Sequence, residues 1–387
     1  MNTTLHTSGV PFHVGVALQS TGFHPASGAD PEDRRNIFSP NYWAELTASA
    51  ERSGASFVTF EDSLGFRDYG QFDASLVASW VAPRTSSIGL IPTLTVTHTE
   101  PFHLSKNVAT LDHISLGRAG WQVQVSSTEE ESRLFGRGRN QLDETSLYSE
   151  AEEVVEVVRR LWDSWEDDAE IRDVATGRFI DRDKLHYIDY VGQRFSVKGP
   201  SITPRPPQGQ PLVAFSGRSA AELRAAVTTG DVLCVPVVDE QDATQLLSAI
   251  RQLETELGRK EPLRVFADVP LLLAATQEAA RQRWETLNIQ NPAWLNADRW
   301  RALGTAQRVS EHIGRLKTLG FNGVRLQPAQ NAQDIPSIEE ELAPRLRTDD
   351  IVAPQPAHAQ PTLRDRLDLP KPANRYATND TPVGALR

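Results

Sequence analysis

Residues 111–127 read LDHISLGRAGWQVQVSS, and the run before them, residues 93–110, reads TLTVTHTEPFHLSKNVAT. Leu104, Val108, Leu111 and Ile114 recur at helical spacing. Pro101 stands where a first helical turn accepts it, since the missing N–H would have no partner there anyway. Gly117-Arg118-Ala119-Gly120 stops that helix, and Trp121, Val123 and Val125 then alternate as a strand does. The stretch is a helix, a polar turn and a strand in direct succession.

Working outward, the same step repeats. Strands are expected at Phe12–Leu18, Ala55–Phe60, Ile88–Leu94, Gly120–Val125, Leu212–Ser216, Val232–Val237, Leu263–Val269 and Phe321–Leu326. Several are near-continuously apolar, as strands covered on both faces should be. Helices are expected between them at Tyr42–Arg52, Phe72–Ala82, Phe102–His113, Ser149–Trp165, Ala220–Val227, Ala243–Leu257 and Thr305–Leu319, with a shorter one near Ile338–Leu346. In the fourth, Ala151, Val154, Val155, Val158, Leu161 and Trp162 form one stripe, and Glu152, Glu153, Glu156, Arg159 and Arg160 cover the rest. This alternation predicts an α/β fold, a (β/α)₈ TIM barrel with insertions. A doubly wound sheet would need a Gly-rich first βα turn, but GVALQSTGFHP (residues 15–25) has no G-x-G-x-x-G, and Gly136-Arg137-Gly138-Arg139 reads as an exposed turn. The expected division is a barrel domain over residues 1–348, with insertions near 163–210 and 276–304, and a C-terminal extension over 349–387 that packs on the barrel or on a neighbouring subunit. The long connections are expected to wall the active-site face or make a subunit contact.

Composition narrows the class. The chain has 387 residues and a formal net charge of −11. Without a compensating Lys/Arg cluster that charge disfavours a nucleic-acid partner. The single cysteine, Cys234, excludes an internal disulfide framework and sits in an apolar run, where an inert buried thiol is expected. No stretch approaches membrane-spanning length and MNTTLHTSGV has no signal-peptide core, so a cytoplasmic protein without a membrane partner is expected.

The residues Thr93, Glu100-Pro101-Phe102-His103-Leu104, Leu111-Asp112-His113 and Gly117-Arg118-Ala119-Gly120-Trp121 together resemble the signature of the bacterial luciferase-like, flavin-dependent monooxygenases. The resemblance is to the branch acting on aminopolycarboxylates, sulfur compounds and long alkanes. Gln122 stands where that branch usually has Asn, and Val125 where it often has Thr. The resemblance also implies a barrel, and Leu363–Leu367 and Pro372–Tyr376 resemble the C-terminal extension of the branch.

Candidate site residues lie where strands end, since the reactive face of a barrel is at its C-terminal strand ends. After the second strand comes Glu61-Asp62; the resemblance places an acidic residue matching Asp62 at the flavin, against the plainer reading of an acid bonded to its own loop. After the third, His98 would be aimed into the mouth as a donor or acid near neutral pH and is the catalytic candidate, with His24 a weaker version. His103 and His113 fall within the third helix and its turn and are assigned structural roles. On the fourth strand Gln122 and Gln124 share a face; Gln122 is a candidate amide contact to the flavin, and Ser126 a candidate for its ribityl or phosphate region. The resemblance implies that Tyr148, placed just before the fourth helix, donates its hydroxyl to the FMN phosphate. Ser216-Gly217-Arg218-Ser219, joining the fifth strand to a helix, combines small residues, a helix start and an arginine, which makes it the best anion site in the sequence. An ordinary Ser-capped helix start would look the same. Its counterpart in the branch, Q-A-G-x-S-x-x-G, binds flavin phosphate, with Phe215 here in place of the Gln. Arg67, Trp121 and the tryptophans of the second insertion are candidate substrate-pocket residues. No spacing suggests a metal cage, and there is no G-x-S-x-G elbow for a serine hydrolase.

The resemblance implies a two-component monooxygenase. It would take reduced FMN from a separate NAD(P)H:flavin reductase, activate O₂ at the flavin C4a, and oxygenate a small organic substrate as a homodimer or homotetramer. The alternatives are a deazaflavin-dependent reductase on the same barrel and a non-catalytic flavin-binding protein.

Overall fold

The computed structural model describes residues 11–65, 70–136, 143–291, 299–353 and 361–377. Arg67, Arg137–Arg139 and Trp294 lie outside these ranges. The strands are β1 (His13–Leu18), β2 (Phe57–Phe60), β3 (Gly89–Thr95), β4 (Gly120–Gln124), β5 (Leu212–Ser216), β6 (Val232–Pro236), β7 (Arg264–Leu273) and β8 (Gly323–Pro328). Each runs parallel to the next, and β8 returns to β1 in the register His13↔Gly323 to Val16↔Leu326, which closes the sheet into the expected barrel. The helices outside it are α1 (Pro40–Ser53), α2 (Ala74–Val81), α3 (Pro101–Ile114), α4 (Glu144–Asp163), α5 (Ala220–Thr229), α6 (Glu240–Glu256) and α7 (Ala306–Leu319). Consecutive helical segments from Asn331 to Thr348 fill the eighth position.

Strand alternation divides the core in two. One set of strand residues, including Val58, Leu90, Trp121, Val123 and Val265, faces the helices and packs with the α4 stripe of Val154, Val155, Val158 and Trp162. The Trp162 indole donates to the Ser105 carbonyl at 2.9 Å and ties α4 to α3. The opposite set fills the lumen at the base, where Phe57 and Phe266 meet edge to face with centroids 5.2 Å apart. Gly15 leaves room for this layer, because a Cβ there would overlap the Phe57 ring.

The segment that decides the fold lies at this base. After α3 the chain turns through Leu116 (φ 56°) and Gly117 (φ 87°), a left-handed pair that reverses direction in two residues. The buried Arg118 guanidinium donates to the carbonyls of Ser115, Ile88 and Ala82, each at 2.8 Å, and stitches the start of β4 to the α2–β3 connection. Asp112 accepts from the Ala119 amide (3.1 Å) and the Gln208 amide (3.2 Å); burial pushes its carboxyl up to about 6, although these bonds favour the ionised form. The described part of the C-terminal extension plugs the base: the Leu363 amide donates to the Gly117 carbonyl at 2.9 Å, and Leu363, Leu367 and Leu369 join the apolar lumen layer.

The connections carry more structure than their sequence suggests. Between Asp163 and Gln210 lie two small antiparallel hairpins, pairing Glu170–Asp173 with Arg178–Ile180 and Tyr190–Val191 with Ser196–Val197. Thr276–Gly304 begins with a helix, Gln277–Gln290, and ends with a strand, Ala302–Gly304, that pairs beside β7. That helix buries only Ala280, Leu287 and Asn288, so it shows no apolar stripe in the sequence. Among the described residues no helix is long and apolar enough to cross a membrane.

Candidate active site

At the other end of the lumen the strands converge on Arg325 of β8. Val324 and Leu326 face the helices, so Arg325 points inward, where it is 1% exposed. Its guanidinium grips Asp268 of β7 at two points, 2.7 and 2.9 Å. It also donates to Glu61 at 3.0 Å, Gln122 at 2.6 Å and Ser216 at 2.6 Å. Burial alone would lower the arginine pKa, but the Asp268 carboxylate and then Glu61 outweigh it, so the cation is kept. The Gln122 amide donates in turn to Glu61 and to the Thr93 hydroxyl, each at 3.0 Å.

Above this network opens a cavity of about 540 Å³. Glu61, Gln122 and Ser216 form its floor, Val123, Gln124, Val125 and Ser127 of the β4 end one wall, and Glu144, Tyr148 and Glu222 the other. Glu222, in the first turn of α5, is buried, and that burial pushes its carboxyl from the usual 4.5 up to about 7, with nearby Glu144 adding to the shift against a hydrogen bond from the Tyr148 phenol. Burial and then Glu222 raise the Tyr148 hydroxyl well above its usual value.

Of the described candidates, Gln122, Tyr148 and Ser216 come to this cavity and the others lie elsewhere. Glu61 faces the cavity, whereas Asp62 does not line it: inward positions on β2 are odd-numbered, and the Asp62 carboxylate accepts from the amides of Ser63 (2.7 Å) and Ala74 (2.9 Å) to fix the loop into α2. Ser126 donates to Glu131 at 2.7 Å and anchors the short helix Glu129–Leu134, while Ser127 is the serine at the cavity. Tyr148 lies inside α4 and not before it, because Asp143 is the N-cap.

The stretch Ser216–Ser219 is not arranged as an anion cradle. The Ser216 hydroxyl accepts from Arg325, and the Ser219 hydroxyl caps α5 by accepting from the Glu222 amide at 3.2 Å. Arg218 donates to both carboxylate oxygens of Asp242, at 3.0 and 2.7 Å. A Cβ at Gly217 would overlap the Glu222 carboxylate, so the space kept by the glycine is taken by an acid.

His98 stacks on Phe135, centroids 4.7 Å apart, and is not among the residues lining the cavity. His24 packs edge-on against Trp284 (5.4 Å), with Nδ1 accepting from the Ala26 amide, which gives it a structural place. Trp121 faces the helices and is fully buried, so it does not line the cavity; Trp300 packs against His312. The Cys234 thiol is buried in the lumen and pushed up to about 12 by that burial, as befits an inert thiol. Among the described residues no group of three or more His, Cys, Asp or Glu could hold a metal ion.

Arg325, Asp268, Glu144 and Glu222 were not anticipated. Two carried a readable signal: a charged residue inside an apolar strand, as in Val324-Arg325-Leu326 and Ala267-Asp268-Val269, has to find a partner in the lumen. Glu222 had another, since it occupies the last glycine of the pattern Q-A-G-x-S-x-x-G.

Known proteins fit this geometry. The family model described as luciferase-like monooxygenase matches residues 11–348. The N-acetyl-S-(2-succino)cysteine monooxygenase of Bacillus subtilis (strain 168) is 36% identical over 71% of this chain and 64% of its own length. Nitrilotriacetate monooxygenase component A of Aminobacter aminovorans is 32% identical over 71% of this chain and 65% of its own. The chain thus spans a little under two thirds of the length of these relatives. Among solved structures, the EDTA monooxygenase of Chelativorans sp. BNC1 superposes with a TM-score of 0.81 at 20% identity, covering 93% of this chain and 99% of that one, which is agreement in fold. By the match over residues 11–348 and by these identities, the chain belongs to the luciferase-like monooxygenase family.

Proposed function

We propose that this chain is the oxygenase of a two-component system, using a reduced flavin and O₂ to oxygenate a small organic substrate. The observation that carries the proposal is the cavity of about 540 Å³ at the C-terminal strand ends, floored by the Arg325 network, in a chain of this family. Overall, one atom of O₂ enters the substrate, the other leaves as water, and the flavin supplies two electrons. The flavin does the difficult chemistry; the chain orients it and keeps water out. Gln122, Gln124 and Ser127 offer polar contacts for a flavin ring, Val123 and Val125 an apolar wall. FMN is the flavin that the resemblance implies, and here the fit is divided. The ring half has a cavity of suitable size. Among the described residues the phosphate half lacks the expected cradle, because Arg218 is tied to Asp242 and Glu222 fills the space at Gly217.

The partner that the proposal requires is a separate nicotinamide-dependent flavin reductase, as the absence of any dinucleotide fingerprint in the sequence supports. The purified chain with flavin and NADH or NADPH should leave the nicotinamide unoxidised, followed by its absorbance. Adding a flavin reductase should give oxygen-dependent product from the right substrate. Nicotinamide oxidation by the chain alone, at the rate of the coupled system, would remove the two-component assignment.

A further inference from the structure

The α5 end of the cavity carries the wrong sign of charge for a phosphate. Glu222 is 6% exposed, and its carboxylate lies in the space that a Cβ at Gly217 would occupy. It is held there by the Tyr148 phenol and by a backbone hydrogen bond at Ser216. Glu144, on the same side of the cavity, adds a second carboxylate. Among the described residues the cations nearby are committed elsewhere: Arg218 to Asp242 at 3.0 and 2.7 Å, Arg325 to Asp268 at 2.7 and 2.9 Å. The Ser219 hydroxyl already caps the start of α5.

We propose that Glu222 makes this cavity select a flavin by its tail, accepting a neutral ribityl chain and rejecting a phosphate monoester. The proposal rests on the reading that the cavity holds a flavin. A carboxylate only accepts hydrogen bonds, so the hydroxyls of a ribityl chain satisfy it. A phosphate brings further acceptors and a like charge, which cost more in a site with little water. Among the described residues, the titratable groups that bear on Glu222 are Tyr148 and Glu144 from α4 and Asp268 from β7. Burial holds the Glu222 carboxyl up to about 7, so the selection strengthens as pH rises through that value, and pH 8 favours the ionised form.

The test is anaerobic equilibrium dialysis at pH 8 with photoreduced riboflavin and photoreduced FMN. The proteins are the wild type, Glu222→Gln, Glu222→Gly and Glu144→Gln. The wild type should bind riboflavin at least ~10-fold more tightly than FMN. Both Glu222 variants should shift that ratio toward FMN by ~10-fold or more, with riboflavin affinity within about threefold. Glu144→Gln, at an exposed position, should shift it the same way by about threefold, which keeps the selection testable where a buried substitution prevents folding. A wild type that prefers FMN, or a ratio unmoved by these substitutions, overturns the selection and leaves the flavin reading standing. If neither reduced flavin binds the wild type, the flavin reading falls and the selection with it.

Discussion

The base and the mouth of the barrel each bury an arginine, and they treat it differently. At the base, Arg118 donates to three backbone carbonyls at 2.8 Å, all contributed by the turn it sits on and the neighbouring connection. At the mouth, Arg325 donates to side chains from around the whole barrel: Asp268, Glu61, Gln122 and Ser216. Carbonyls in a fixed turn cannot exchange partners without unfolding it, so the base is a lock. Carboxylates, amides and hydroxyls can turn from one partner to another, so the mouth can answer to a ligand. The difference runs through the titrating groups as well. Asp231 near the base is buried, which would raise its carboxyl, but the Arg159 and Arg364 guanidiniums win and hold it down to about 2. Glu222 at the mouth has no such cation among the described residues and is pushed up to about 7 by burial.

Replacing Arg325 by Met should break the mouth most severely. It leaves the buried Asp268 and the half-buried Glu61 without their cation and should cost about 3–5 kcal/mol, read from urea unfolding. A loss below about 1 kcal/mol would mean that the network relaxes freely. At the base, Leu367→Ala should cost about 2–4 kcal/mol through the cavity it opens in the lumen plug, while flavin affinity stays unchanged. Next in size is the pH dependence of stability. Glu222 binds its proton more tightly in the folded chain than in the unfolded one, so stability should fall as pH rises from 4.5 through about 7. The share of Glu222 should be about 3 kcal/mol, and Glu222→Gln should remove it and leave the smaller share of Asp112, whose carboxyl is pushed up to about 6. Asp231 has the opposite sign: its contribution is present above 3.8 and lost as pH falls toward about 2, and Asp231→Asn should remove that acid limb. The smallest effect belongs to Arg218→Ala. Because Arg218 is engaged with Asp242 at the surface, flavin affinity should change by less than about twofold; a tenfold loss would restore Arg218 to the site.

The same contrast explains what could be read from the sequence. The base is written in consecutive residues: the helix stripe, Gly117, Arg118 and the alternating strand all lie within one short stretch, and each has a local physical reason to be there. The barrel followed from repeating that step, and all eight strands occur where periodicity puts them. The mouth is written across the chain. Glu61, Gln122, Ser216, Asp268 and Arg325 meet only because strand parity turns each of them inward, so no local spacing announces them. Ser216–Ser219 shows the opposite failure. Its local pattern suited an anion, but Asp242 and Glu222, both outside the pattern's short window, decide what its side chains do. Tyr148, the candidate that the resemblance named, does line the cavity, but from inside α4, and no local spacing announces Glu222 as its carboxylate partner.

The central claim is that the cavity above Arg325 is where a reduced flavin binds. Ser127 lines its wall and is exposed, so Ser127→Trp should fill the space with little disturbance of the core. Anaerobic titration with photoreduced flavin should show affinity falling by ~100-fold or more, about 2.7 kcal/mol, with the urea midpoint unchanged. Equal affinity in the filled variant and the wild type would place the flavin elsewhere and contradict the assignment of the mouth as the active site.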